Sequence, residues 1–318
     1  MAEAGRRFSQ RGGRRPRLWP AMHGCGVRAR RHGAKAALFA LVVGLGLAAC
    51  SFVGQPPCSS ASADRAATCS SEPRLEWPGP GNTGVPAGVT LQPMGGLTVT
   101  EKGAVVDGAS ISGSVTVEAA DVVIRNSRIS GTGTGNGVWV RSGSLTITDS
   151  QIADFENGLV GSDLTATRVE IVGMSGDGIK LGSHVLVADS WIHGFSPAEG
   201  AHVDGAQMQA GEHAVALEHN TIDMFNEATG SNGNSAVFLA PDLGPDSNGP
   251  VVIAQNLLDG GNFTVFIVDG DHGRYHVRNI SLSGNRFGRH ARYGPLQINV
   301  PAAVSGNVWA DTGRPIGQ

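Results

Sequence analysis

Apolar and polar residues alternate in short bursts along the chain, and one eight-residue burst recurs. It reads AVVDGASI (104–111), VVIRNSRI (122–129), LTITDSQI (145–152), LTATRVEI (164–171) and VLVADSWI (185–192). It continues as VALEHNTI (215–222), VVIAQNLL (251–258), ISLSGNRF (280–287) and AAVSGNVW (302–309). Such alternation marks a strand with one buried face. The units start 18, 23, 19, 21, 30, 36, 29 and 22 residues apart. Each breaks at a small or polar pair and ends in a second apolar segment. A third segment precedes most units: 137–140, 158–160, 178–181, 205–208, 236–239, 264–267 and 295–298. Three short strands and three turns per repeat, none burying its own core, predict a solenoid. The predicted fold is all-β, a right-handed parallel β-helix of about nine coils. Residues 193–204, 223–235, 240–250 and 269–279 read as insertions that lengthen turns without breaking the stack. The sixth position of the last four units is Asn220, Asn256, Asn285 and Asn307, which suits a stacked tight turn.

Alternation also assigns directions. In the third segment, Val138/Val140, Ile179/Leu181, Ala206/Met208, Val237/Leu239, Val265/Ile267 and Leu296/Ile298 point inward. The outward row between them is Trp139, Val160, Lys180, Gln207, Phe238, Phe266 and Gln297. Just before each strand stands a second row: Asn136, Asn157, Asp177, Asp204, Ser235, Thr264 and Gly294. Together these rows predict the floor of a groove walled by the insertions. Trp139, Phe238 and Phe266 there suit the apolar faces of sugars, with Gln207 as a hydrogen-bonding partner. The plainer expectation is that the loops cover them.

Composition supports the pattern. Glycine contributes 47 of 318 residues, which disfavours helical bundles. A hydrophobic content of 40% disfavours global disorder. The N-terminus reads as an address. Residues 1–35 hold nine Arg, one Lys and one acid, and residues 36–49 are apolar. That apolar run is shorter than the ~20 residues of a spanning helix and fits a secretory signal. Without it, 24 − 10 = 14 basic residues face 27 − 1 = 26 acidic ones, a net charge of −12. Such a balance speaks against nucleic acid as a partner.

Leu47-Ala48-Ala49-Cys50 resembles the lipobox of bacterial lipoproteins. That resemblance implies cleavage before Cys50 and acylation of its thiol. The expected organisation is a signal peptide over 1–49, a lipid-anchored flexible linker over 50–76 and the β-helix over 77–318. Cys58 and Cys69 can pair within the linker. The expected location is extracytoplasmic, with membrane contact through the lipid only, and the expected state is a monomer.

The coil pattern resembles the pectate-lyase-like β-helix superfamily. Its opening, Trp77-Pro78-Gly79-Pro80-Gly81-Asn82-Thr83-Gly84-Val85-Pro86-Ala87-Gly88, is similar to the start of many bacterial secreted β-helix proteins. The fold hosts lyases, hydrolases, epimerases and inert adhesins alike, so function must be argued from the site.

The densest polar cluster spans two coils, Asp177-Gly178-Ile179-Lys180 and His202-Val203-Asp204-Gly205-Ala206-Gln207. Adjacent rungs would place Asp177 and Asp204 roughly 5 Å apart. Two carboxylates that close need a raised pKa or a cation, and Ca²⁺ is the expected metal. In a uronate lyase, Lys180 or His202 would be the base, with Asp177 and Asp204 holding Ca²⁺ or orienting it. In a glycoside hydrolase the two aspartates would be the carboxylate pair. The Asp-Gly pairs resemble polygalacturonases faintly, but that family's Asn-Thr-Asp, Gly-His-Gly and Arg-Ile-Lys motifs are absent. Asp-Gly is also an ordinary turn pair. The expected function is to bind and cleave an acidic polysaccharide by β-elimination; the rivals are a non-catalytic glycan-binding or surface scaffold protein and a hydrolase.

Overall fold

A computed structural model describes residues 76–197 and 200–317. The expected signal segment, Cys50 as the expected lipidation site, Cys58 and Cys69 lie outside the described residues. Each eight-residue unit folds as its alternation dictates. The first half of every unit forms one strand of a nine-stranded sheet that runs from Val105–Asp107 to Ala302–Ser305. Its neighbours pair in parallel without slippage, for example Leu164 with Val185 and Val185 with Val215. The second halves and the third segments share a seventeen-stranded parallel sheet. The described residues thus form an all-β parallel solenoid. Helix is confined among them to one short turn, Asp271–Gly273.

The unit bends at its fifth residue. Asn126, Asp149, Arg168, Asp189, His219 and Gln255 adopt φ of 49–54°, and Gly108, Gly284 and Gly306 take the same place. The asparagine at the sixth position is therefore not the turning residue, which corrects the expected stacked turn. It is buried instead. Asn256 Oδ1 accepts the Asn220 N–H at 2.8 Å and the Asn220 side-chain amide at 3.0 Å. Asn256 Nδ2 in turn donates to the Leu217 carbonyl at 2.8 Å. The scheme repeats through Asn285 to Asn307. In earlier coils Ser127, Ser150 and Ser190 supply hydroxyls at the same corner. The buried amides there meet fixed acceptors, which is what an unhydrated corner requires.

Inside the coils the predicted inward columns are buried: Val138, Ile179, Ala206, Val237 and Val265 are fully enclosed. Leu296 and Ile298 depart from this and are only half-buried. They line a hollow of about 520 Å³ at the open end of the described stack.

Candidate functional site

The outward row assembles in the predicted order. Trp139 pairs with Val160, Val160 with Lys180, Lys180 with Gln207, Gln207 with Phe238, Phe238 with Phe266 and Phe266 with Gln297. The second row holds except at one coil. Ser235 leads the strand Ser235–Leu239, Val237 pairs with Val265, and Phe263 pairs with Gly294. Phe263 thus takes the place predicted for Thr264. Thr264 is buried, and its hydroxyl has no partner. Glycine leads the strand where coils approach closely. A Cβ at Gly178 would lie 2.5 Å from the Gly205 carbonyl oxygen, and one at Gly205 would lie 2.5 Å from that of Ala236. The glycine after each aspartate is therefore a steric requirement.

The aspartates themselves belong to a polar ladder. Asn157 Nδ2 donates to Asn136 Oδ1 at 3.0 Å, and the Asp177 N–H donates to Asn157 Oδ1 at 3.3 Å. The Asp204 N–H donates to Asp177 Oδ1 at 2.8 Å. Asn234 Nδ2 reaches Asp204 Oδ1 at 2.9 Å, and Asn262 Nδ2 reaches Asn234 Oδ1 at 3.2 Å. Two rungs of six are charged, and Lys180 and His202 stand beside them. Lys180 Nζ lies 2.6 Å from Asp177 Oδ2 and 3.0 Å from Gln207 Oε1. Gln207 Nε2 donates to Asp204 Oδ2 at 3.1 Å, and His202 Nδ1 lies 3.1 Å from the same oxygen. Asp177, Lys180, His202, Asp204 and Gln207 thus converge.

Burial divides their roles. The Asp177 and Asp204 side chains are 4% and 0% exposed, whereas Lys180 and His202 are 36% and 54% exposed. Gln207 is buried and bridges Lys180 to Asp204. Burial pushes the Asp177 carboxyl up, against the pull of Lys180. The Asp204 carboxylate holds the His202 imidazole above its ordinary 6.5, outweighing the opposite effect of partial burial. With Nδ1–H committed to Asp204, the free nitrogen of a neutral His202 is Nε2.

The pair does not fit a calcium ion. Asp177 Oδ1 accepts the Asp204 N–H, Asp177 Oδ2 accepts Lys180, Asp204 Oδ1 accepts Asn234, and Asp204 Oδ2 accepts Gln207 with His202 beside it. Hard divalent cations take six to eight oxygens and are repelled by an adjoining ammonium. Among the described residues no group of three His, Cys, Asp or Glu is arranged to hold a metal. Asp269 and Asp271, the two carboxylates of the 269–279 insertion, form no second pair: Asp269 Oδ2 faces His276 at 2.9 Å, and Asp271 faces Arg274 at 3.4 Å.

Lys180 stands between two hollows. One of about 410 Å³ is lined by Asn157, Asp177, Lys180 and His202, with Glu156 and Ser175. The other, about 300 Å³, is lined by Lys180, Gln207, Gln209, Glu212, Ser162 and Leu243. Along the trough the aromatic rings remain accessible. Phe238 and Phe266 stack at 5.2 Å and 4°, both half-buried, and His202 meets Phe238 edge-on at 5.3 Å. Trp139 is exposed, with the Arg141 guanidinium 5.4 Å from its ring centre. The loops therefore flank these rings without covering them.

Sequence reasoning missed Asn234 and Glu212. The signal for Glu212 was a turn of six residues, 209–214, where the preceding coil has three, 182–184. No known family model, curated protein or solved structure matches the chain at a significant level, so the site is read from its own geometry.

Proposed function

We propose that this trough binds an acidic polysaccharide and cleaves it by β-elimination. The observation that carries the reading is the exposure of Lys180 and His202 above two buried, fully engaged carboxylates. A uronate carboxylate placed against the Lys180 ammonium is neutralised, which acidifies its C5–H. His202 Nε2 takes that proton. The C–H pair becomes the C4=C5 double bond, the C4–O bond breaks, and the departing oxygen takes up a proton. Asp204 holds the imidazole in register, and Asp177 with Gln207 holds the ammonium. Phe238, Phe266 and Trp139 are the sugar-stacking positions. The parallel solenoid fits membership in the pectate-lyase-like superfamily, and acylation at Cys50 would place the reaction at the cell envelope.

The hydrolase reading loses its carboxylate pair, because neither aspartate offers a free oxygen. The non-catalytic reading draws on the aromatic row, which serves binding without chemistry. Incubation with uronate polymers separates the three. Ultraviolet absorbance from unsaturated product, unaffected by chelator and lost in Lys180→Ala and His202→Ala, is the expected result. Binding without product supports the scaffold. Reducing ends without absorbance support hydrolysis.

A further inference from the structure

We propose that Glu212 donates the proton to the departing glycosidic oxygen, and that the hollow it lines receives the sugar on the leaving side of the cleaved bond. This rests on the β-elimination reading above. Elimination needs two proton transfers, one off C5 and one onto the leaving oxygen, because a sugar alkoxide departs poorly without a proton. The first hollow holds the base. His202 lines it and Glu212 does not, whereas Glu212 lines the second and His202 does not. Lys180, the group that would hold the uronate carboxylate, borders both. An acid and a base thus stand on opposite sides of the point where the charge is neutralised.

Glu212 is built in place. Its Oε2 accepts the Ala210 N–H at 3.0 Å, and its own carbonyl accepts the Ser247 hydroxyl. The Leu243 N–H donates to the Gln209 carbonyl at 2.8 Å. A Cβ at Gly211 would lie 2.5 Å from the Pro245 carbonyl oxygen, so the turn is clamped against the 240–250 loop of the next coil. Burial pushes the Glu212 carboxyl up, so it keeps its proton to a higher pH than an exposed glutamate. The backbone N–H groups of Glu212 itself and of Ala210, and then His213 beside it, pull the other way. The carboxylates of the facing loop are occupied: Asp242 accepts the Asp271 N–H, and Asp246 accepts the His276 N–H. The step balances. The C5–H pair forms C4=C5, the C4–O pair leaves on oxygen, and that oxygen takes the Glu212 proton. Water then returns a proton to Glu212 and removes one from His202, with no oxidant or reductant.

The test is Glu212→Gln in the full chain, on a uronate polymer and on a uronate carrying a 4-O-nitrophenyl group. A nitrophenolate leaves without a proton. The expected result is a loss of about 100-fold on the polymer and under about fivefold on the nitrophenyl ether, with the alkaline limb of kcat/KM altered. His202→Ala should lower both. Polymer turnover within about threefold of wild type, or equal losses on both substrates, overturns the role of Glu212 and leaves β-elimination standing. Wild-type protein that forms no unsaturated product from either substrate overturns β-elimination, and this role with it.

Discussion

Two polar ladders climb this solenoid, and they end differently. The corner ladder, Asn220 to Asn307, is amide throughout, and its donors and acceptors consume one another. The trough ladder, Asn136 to Asn262, mixes side chain-to-side chain bonds with two backbone N–H donors and substitutes carboxylates at Asp177 and Asp204. An amide rung is complete within the fold. A carboxylate rung demands a counter-charge, and here each one recruits a cation whose far side is open to solvent. A polar residue in a repeat protein thus points to chemistry when its partner is left partly outside.

The sharpest way to break the contrast is Lys180→Ala, which should reduce product formation by about 1000-fold. It also strands the buried Asp177 carboxylate, so stability should fall. Adding Asp177→Asn restores the amide rung found at Asn157. Urea denaturation should recover in the double variant while turnover does not. Recovery of turnover would place the chemistry elsewhere.

Next in size is the corner. Asn256→Leu takes the acceptor from the buried Asn220 backbone N–H and the side-chain donor from the Leu217 carbonyl, and should cost about 3 kcal/mol in urea denaturation. Glycan affinity of the folded fraction should not change. Trp139→Ala removes an exposed ring and should weaken polymer binding by about 1 kcal/mol, roughly fivefold in Kd, at constant stability. Isothermal titration measures the affinity, and urea denaturation the stability.

Asp204→Asn gives the finest test. His202 has its pKa raised in the folded chain, chiefly by Asp204. Its contribution to stability is present below the ordinary 6.5 and is lost as pH rises through the raised value. Its proposed action as a base should show the reverse trend, appearing as pH rises through that value. The variant should carry the acidic limb of the pH–rate profile to lower pH and flatten the stability curve in the same window. An unmoved limb would mean that another group titrates.

Much of this was legible in the sequence, because a solenoid repeats its instructions. The nine units became the nine strands of one sheet, and register alone aligned Lys180 with Gln207 and Phe238 with Phe266. The slip at Thr264 arose where no glycine marks the strand and Gly260-Gly261-Asn262 blur its start. Burial was invisible: alternation puts Asp177 and Gln207 in the trough but cannot say that neighbours would enclose them. Nor can spacing show that five donors would occupy the oxygens offered to calcium. The lengthened turn 209–214 marked the place of Glu212, but the clamp from the 240–250 loop that fixes it is a contact between coils that no local pattern encodes.

The half-buried Leu296 and Ile298 carry a mechanical consequence. Every coil is held only by the two beside it, so strength is a local property and the weakest join lies where the apolar column is least enclosed. Under tension the solenoid should peel from its end coils, where Met94 and Leu97 as well as Leu296 and Ile298 are incompletely enclosed, and the rungs bearing Lys180 and His202 should be among the later ones to let go.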